Sequence, residues 1–354
     1  MWAQILLLVR GAAPANFAMV MSTGIVSIAL HLLGCETGAL ALFYVNIAMF
    51  FWLWGVYIWR IFQFPDAFLD DMRNHARGPG YLTIVAGTGL LANQCALLWG
   101  RYDLACALFW LALVVWLFFI WADFVALFTA KEKMPLEKGI NGGWLLNTVS
   151  CQALVILGCV IIGHTSWNKE TAFLLLAGLY GVGYMLYIVV ITLITYRLCY
   201  KPLPPEELDP AYWVNAGAVA ITTLAGSELI LRAPESPFLQ DILPFIKGMT
   251  LMAWAFAAWW VVLLLALGVW RHAIRKYPFA YVPTYWSMVF PMGMFTACTI
   301  MFSKAVQMPA LLTVPHLFIY VALIGWLGTF AGMGHHLWKK LFKADSATQT
   351  KQPS

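Results

Sequence analysis

Ten stretches of roughly twenty apolar residues, each bounded by charges, Pro or Gly, make up most of this chain. They run over Pro14 to Leu33, Ala39 to Phe62, Gly80 to Leu98, Leu104 to Phe128, Gly142 to Ile162, Thr171 to Tyr196, Ala211 to Leu231, Ile242 to Trp270, Val282 to Ser303 and Ala310 to Leu337. At about 1.5 Å of rise per residue, each can cross a hydrocarbon core of about 30 Å. Lipid offers no partner to a backbone N–H or C=O, so such runs must be helices. Composition agrees: 62% of the 354 residues are hydrophobic and 10% charged, where a soluble domain carries about 25% charge. The expected fold is an all-α polytopic membrane protein, with a transmembrane domain over 14–337, an N-terminal segment over 1–13 and a tail over 338–354.

With the N-terminus inside, every basic residue except Arg101, Lys169, Arg232, Lys247 and Lys304, of 21 in all, falls on the inner side. That asymmetry predicts a multi-pass plasma (inner) membrane protein with both termini cytoplasmic. The opening MWAQILLLVR has too short an apolar run for a signal peptide, and its charge follows that run, so it is expected to lie along the membrane surface. Seven cysteines, an odd number without a C-x-x-C pair, read as small buried hydrophobes rather than a disulfide frame or metal site. A haem-binding or quinone-binding oxidoreductase subunit, the rival class, would want histidine pairs at mid-membrane. His31, His335 and His336 fall at span ends and His316 one turn inside the tenth span, so no two histidines lie at mid-membrane. No metal, cofactor or nucleic-acid partner is expected, and no enzymatic chemistry.

The odd-numbered spans repeat one another. They open PANFAMVMSTGIVS, GPGYLTIVAGTGLL, NGGWLLNTVSCQAL, DPAYWVNAGAVAIT and VPTYWSMVFPMGMF. The aromatics Phe17, Tyr81, Trp144, Trp213 and Trp286 recur at separations of 64, 63, 69 and 73 positions, the spacing of five helical hairpins. Even spans, such as LFWLALVVWLFFIW, are bulkier. Small and hydroxyl side chains allow close helix approach, so the odd spans are expected to surround a central path and the even spans to face lipid. Lining candidates are Thr23, Gly24, Ser27, Gly87, Thr88, Asn147, Thr148, Asn215, Gly217, Thr222, Gly293 and Thr296, with Ser150, Gln152, Thr223 and Thr299 in the same spans. None is ionised, which favours a small anionic solute over a cation.

Pro291 sits near the middle of the ninth span. A proline removes a backbone donor and crowds the carbonyl four residues back, so a break is expected there, with Phe290 at the kink. Glu228 precedes Arg232 by one turn and reads either as a helix-end ion pair or as a proton-coupling carboxylate. Lys247 is expected to pair with Glu228 or Asp241, to snorkel, or to attract anions. Asp123 is most simply a partner for Lys131 or Lys133.

At these residues the chain resembles the tellurite-resistance/dicarboxylate transporter family, the family of bacterial tellurite-resistance protein A, fungal malate and sulfite carriers and plant slow anion channels. PANFAMVMSTGIVS, HARGPGYLTIVAGTGLL, INGGWLLNTVSCQALVILG, LDPAYWVNAGAVAITTLAG and YWSMVFPMGMFTACT carry the resemblance, which covers about Pro14 to Leu337. It implies ten helices as five hairpins around a pore, a homotrimer with one pore per subunit, and Phe290, before Pro291, as the pore plug. Ser22 stands where many relatives have glycine. The expected function is a channel or carrier for a small anion, with C4-dicarboxylate, sulfite, tellurite-type oxyanion or halide as candidates. A proton-coupled dicarboxylate symporter using Glu228 is the alternative within transport.

Overall fold

The computed structural model describes residues 2–340, so most of the 338–354 tail lies outside the described residues. Ten helices are long and apolar enough to cross a membrane: α1 (Pro14–Leu32), α2 (Glu36–Gln63), α3 (Gly78–Trp99), α4 (Tyr102–Thr129), α5 (Gly142–His164), α6 (Lys169–Tyr200), α7 (Pro210–Glu235), α8 (Leu243–Ile274), α9 (Tyr285–Val306) and α10 (Pro309–Trp338). The limits lie within a few residues of those expected. The segment before α1 forms a short helix, Trp2–Arg10, packed on α2. There are no strands among the described residues.

Local chemistry sets where the inner helices start and stop. Four of the odd helices open with a 3₁₀ turn, at Pro14–Phe17, Gly78–Leu82, Gly142–Leu145 and Pro210–Trp213. Proline fits there because its missing N–H would have no helical partner anyway. The side chains of Asn141 and Asp209 accept from the N–H groups of Gly143 and Ala211 at 2.7 and 2.8 Å, capping two of these turns. At the opposite ends, α1 and α3 stop on glycines with left-handed φ, Gly34 at 81° and Gly100 at 65°. There the Cys35 and Arg101 N–H groups reach back to the Leu30 and Cys95 carbonyls at 2.9 and 3.0 Å.

The odd helices close on themselves. α1 packs on α3, α3 on α5, α5 on α7, α7 on α9, and α9 returns to α1. Each of the five seams contains a glycine. A Cβ on Gly293 would lie 2.9 Å from Ile25 across α9/α1, and one on Gly87 3.3 Å from Val20 across α1/α3. A Cβ on Gly89 would lie 3.5 Å from Ala153 across α3/α5, one on Gly217 would meet Phe290 and Pro291 across α7/α9, and one on Gly142 would overlap the Ala211 carbonyl across α5/α7. Each even helix packs on its hairpin partner and on the next odd helix. Between 78% and 94% of the apolar stretch of each odd helix is buried, against 22% to 39% for the even helices. The even helices therefore present the lipid-facing surface.

α9 runs through Pro291 without interruption, contrary to the expected break. One turn earlier, the Ser22 hydroxyl of α1 lies 2.6 Å from the Trp286 carbonyl, tying the two helices together at the start of α9. Packing on both sides thus holds the proline-containing turn helical.

On the face that carries the N-terminal helix, buried Arg60 at the end of α2 gathers several elements. It donates to the Arg10 carbonyl at 3.1 Å, the Tyr81 hydroxyl at 3.0 Å, the Ala67 carbonyl at 3.1 Å and Asp71 at 2.5 Å. Arg77 approaches the other Asp71 oxygen at 2.9 Å. Asp71→Ala would leave the Arg60 charge buried without its carboxylate, a loss of about 3–5 kcal/mol. A marked drop in the thermal midpoint of the detergent-solubilised protein is the expected result. Gly142→Ala is expected to prevent accumulation of folded protein, measured as the monodisperse fraction after solubilisation.

Candidate functional site

The inner ring carries the polar side chains that the odd spans contributed, and the structure divides them into three groups. In the first, the polar atom ties an inner helix to its surroundings. Thr23 accepts from the Trp326 indole of α10 at 2.9 Å, and Ser27 donates to the Ala39 carbonyl of α2 at 2.7 Å. Thr299 accepts from the Trp254 indole of α8 at 3.1 Å. These hydroxyls are aimed at outer helices rather than at a central path, which corrects the expectation for Thr23 and Ser27. The glycines behave likewise. Gly24 faces Asn46 and Leu90, while Gly87 and Gly293 face α1, so all three serve helix packing.

In the second group the hydroxyl is spent on its own helix. Thr222 donates to the Ala218 carbonyl at 2.7 Å and Thr296 to the Met292 carbonyl at 3.1 Å. The third group keeps hydrogen-bonding capacity while buried. The hydroxyls of Thr88 and Thr148, Oδ1 of Asn147 and both amide atoms of Asn215 have no partner among the described residues. Burying such an atom unpaired costs about 1–3 kcal/mol. These four residues lie on α3, α5 and α7, three consecutive members of the ring.

Phe290 of α9 is fully buried, at 1% exposure. Its ring lies against Gly217 of α7, where a Cβ would come 3.1 Å from Cε1 and 2.8 Å from Pro291 Cγ. Met288 and Met292 border a cavity against α8. Two residues along a helix is a rotation of about 200°, so Phe290 lies on the opposite side of α9, against α7. Gly217 is therefore the close-approach point that accommodates the aromatic ring.

Glu228 lies three turns beyond Gly217 on the same face of α7, about 16 Å along the helix. The expected ion pair with Arg232 does not form, because Arg232 pairs with Glu235 at 2.8 Å. Lys247 is exposed on α8 and makes no ion pair among the described residues, so the expected pairing with Glu228 or Asp241 does not form. Asp123 is buried and both its oxygens lack a hydrogen-bond partner, whereas Lys133 donates to the Leu127 and Phe128 carbonyls, so the expected pairing is replaced.

Sequence reasoning missed a repeated arrangement on the face carrying the N-terminal helix, having counted its arginines as loop charges. Three outer helices end in a buried arginine: Arg60 on α2, Arg197 on α6 and Arg271 on α8. Arg60 bonds Tyr81 at the start of α3, and Arg197 lies 5.8 Å over the ring of Tyr212 at the start of α7. The available signal was an arginine at the end of a bulky span, 14 to 21 residues before an entrance tyrosine. Nearby, burial raises the Asp209 carboxyl above its ordinary range, against the Ala211 N–H, the Thr284 hydroxyl and the Arg271 charge, which lower it.

Residues 12–334 match the family model described as voltage-dependent anion channel, SLAC1. An uncharacterized membrane protein of Mycobacterium tuberculosis is 36% identical over 152 residues, 43% of this chain and 77% of its own length. An uncharacterized transporter of Methanocaldococcus jannaschii is 26% identical over 303 residues, 82% of this chain and 83% of its own. A sulfite efflux pump of Trichophyton rubrum is 23% identical over 340 residues, 90% and 88% of the two chains.

The Gly217 contact has a direct test. Gly217→Ala is expected to destabilise by about 1–3 kcal/mol through overpacking against Phe290 and Pro291. Adding Phe290→Ala should restore part of that loss, so the thermal midpoints of the two single variants and the double variant should be non-additive.

Proposed function

This chain belongs to the voltage-dependent anion channel family, and from that premise we propose that it conducts or carries a small anion along the axis of the inner ring, with Phe290 occluding the path. The observation that carries this reading is the closed ring of five glycine-seamed helices, whose third group of polar side chains is buried with bonding capacity to spare. Thr88, Asn147, Thr148 and Asn215 would replace part of an anion's hydration shell. They bear no charge that would repel it. No bond needs to be made or broken in such a passage. Sulfite is the first solute to test, because relatives named as sulfite efflux pumps align with 90% of the chain. C4-dicarboxylate, tellurite-type oxyanions and halides follow from the family resemblance. The protein would act in the plasma membrane with both termini cytoplasmic, as a homotrimer with one path per subunit.

A second reading, a proton-coupled dicarboxylate symporter, is favoured by one observation. Glu228 shares the Gly217 face of α7 and has lost Arg232 to Glu235. Intramembrane carboxylates of this kind serve proton relays.

Anion flux into proteoliposomes distinguishes these. Phe290→Ala is expected to raise flux of at least one of sulfite, malate, nitrate and chloride by roughly tenfold or more, a barrier lowered by about 1.4 kcal/mol. Cations should remain excluded. If neither protein passes any of these anions while both stay folded, the occluded-path reading is wrong. Under an inward proton gradient, a coupled carrier would be stimulated by acid and would lose that stimulation in Glu228→Gln. A channel would keep its flux in both conditions.

A further inference from the structure

The three buried arginines that close the outer helices do not end alike. Arg60 finds its carboxylate in the segment that follows it, Asp71, at 2.5 Å. Arg197 does the same with Glu207, also at 2.5 Å. Arg271 does not. The segment from His272 to Thr284 holds no Asp or Glu, and adds His272, Arg275 and Lys276 instead. Arg271 is 8% exposed and, unlike the other two, forms no ion pair among the described residues; like Arg197, it keeps an Nε without a hydrogen-bond partner. Its guanidinium lies 4.4 Å over the Tyr277 ring. A cation so buried needs an anion.

The one carboxylate on the cavity border, Asp209, feels the Arg271 charge but forms no ion pair with it, and is oriented by other donors. Asp209 accepts from the Ala211 N–H at 2.8 Å and from the Thr284 hydroxyl at 3.0 Å. In front of Arg271 there is a cavity of about 560 Å³, bordered by the starts of α7 and α9 and the end of α8. Its remaining titratable borders are Asp209, His272, Tyr212 and Tyr285. His272 is held by the Tyr277 carbonyl at 2.8 Å and stacked on Phe279 at 3.8 Å. The walls are otherwise mostly apolar, and they include Leu265 and Val269, which are 46% and 59% exposed on the lipid-facing side of α8. A free ion would leave those walls unused. A headgroup joined to hydrocarbon would fill both parts.

We infer that this cavity is a binding site for an anionic phospholipid, whose headgroup phosphate is the counter-ion that Arg271 lacks and whose acyl chains lie along Leu265 and Val269. The cavity also touches Met288 and Met292, which flank Phe290 in sequence. An occupied site therefore bears on the outer side of the helix that carries the candidate plug. The binding inference itself does not depend on transport.

The test measures lipid retention by native mass spectrometry and thermal midpoint on the delipidated protein, with phosphatidylglycerol, phosphatidylcholine or inorganic phosphate added separately. Phosphatidylglycerol should be retained roughly ten- to a hundredfold more tightly than phosphatidylcholine, the worth of charge-assisted bonds to a buried arginine. Arg271→Gln should abolish that preference. Gly268→Leu gives a second arm: Gly268 borders the cavity and a Cβ there meets nothing within 4 Å, so a side chain can enter the space while Arg271 is kept, with the thermal midpoint checking that the variant folds. It too should lose phosphatidylglycerol. Equal retention of the two lipids, full retention by folded Gly268→Leu, or equal stabilisation by inorganic phosphate alone would each overturn the assignment of an anionic phospholipid to this cavity.

Discussion

Close approach of backbones at five seams is the constraint on which the rest of this structure depends. Lipid is as apolar as leucine, so burying apolar surface does little to bring helices together, and contact must come from packing and interhelical bonds. A glycine at every seam supplies the first. Ring closure then follows from geometry: with Gly142 against the Ala211 backbone and Gly293 against Ile25 and Val26, each inner helix reaches its neighbours on both sides. The outer helices contribute bulk and the second kind of bond, with Trp326, Trp254 and Tyr187 each donating inward, to Thr23, Thr299 and the Asn215 carbonyl.

That arrangement changes the meaning of the small and polar residues that recur in alternate spans. A hydroxyl in an inner helix can tie hairpins together, return to its own backbone, or stay buried without a partner. Thr23, Thr222 and Thr88 exemplify the three fates. Only the last keeps its hydrogen-bonding capacity free. Structure and transport thus draw on the same residue types, and the helix face decides which use each residue serves.

The same logic separates the arginines at the ends of the outer helices. Arg60 and Arg197 each form an ion pair with a carboxylate in the segment that follows, which ties those segments beneath the inner helices. Arg271 sits in the equivalent place without that partner, beside a cavity open toward lipid. One repeated element therefore serves as a structural clasp twice and as a binding site once. The difference is the absence of an acidic residue between His272 and Thr284.

Span number, span limits and hairpin order were legible in the sequence, because they rest on local properties: run length, bounding charges and recurring entrance motifs such as DPAYW and VPTYW. The placement of glycine and hydroxyl residues in alternate spans likewise identified which helices lie inside. The facing of individual side chains was not legible. Thr23 and Thr88 occupy corresponding positions in two copies of the same motif, yet one meets Trp326 across 303 residues of chain and the other meets no partner. Such outcomes depend on which distant helix packs alongside. The continuity of α9 through Pro291, the diversion of Arg232 to Glu235 and the unpaired state of Asp123 and Arg271 are of this kind. Local sequence sets which groups must find partners, while tertiary packing decides which of them do.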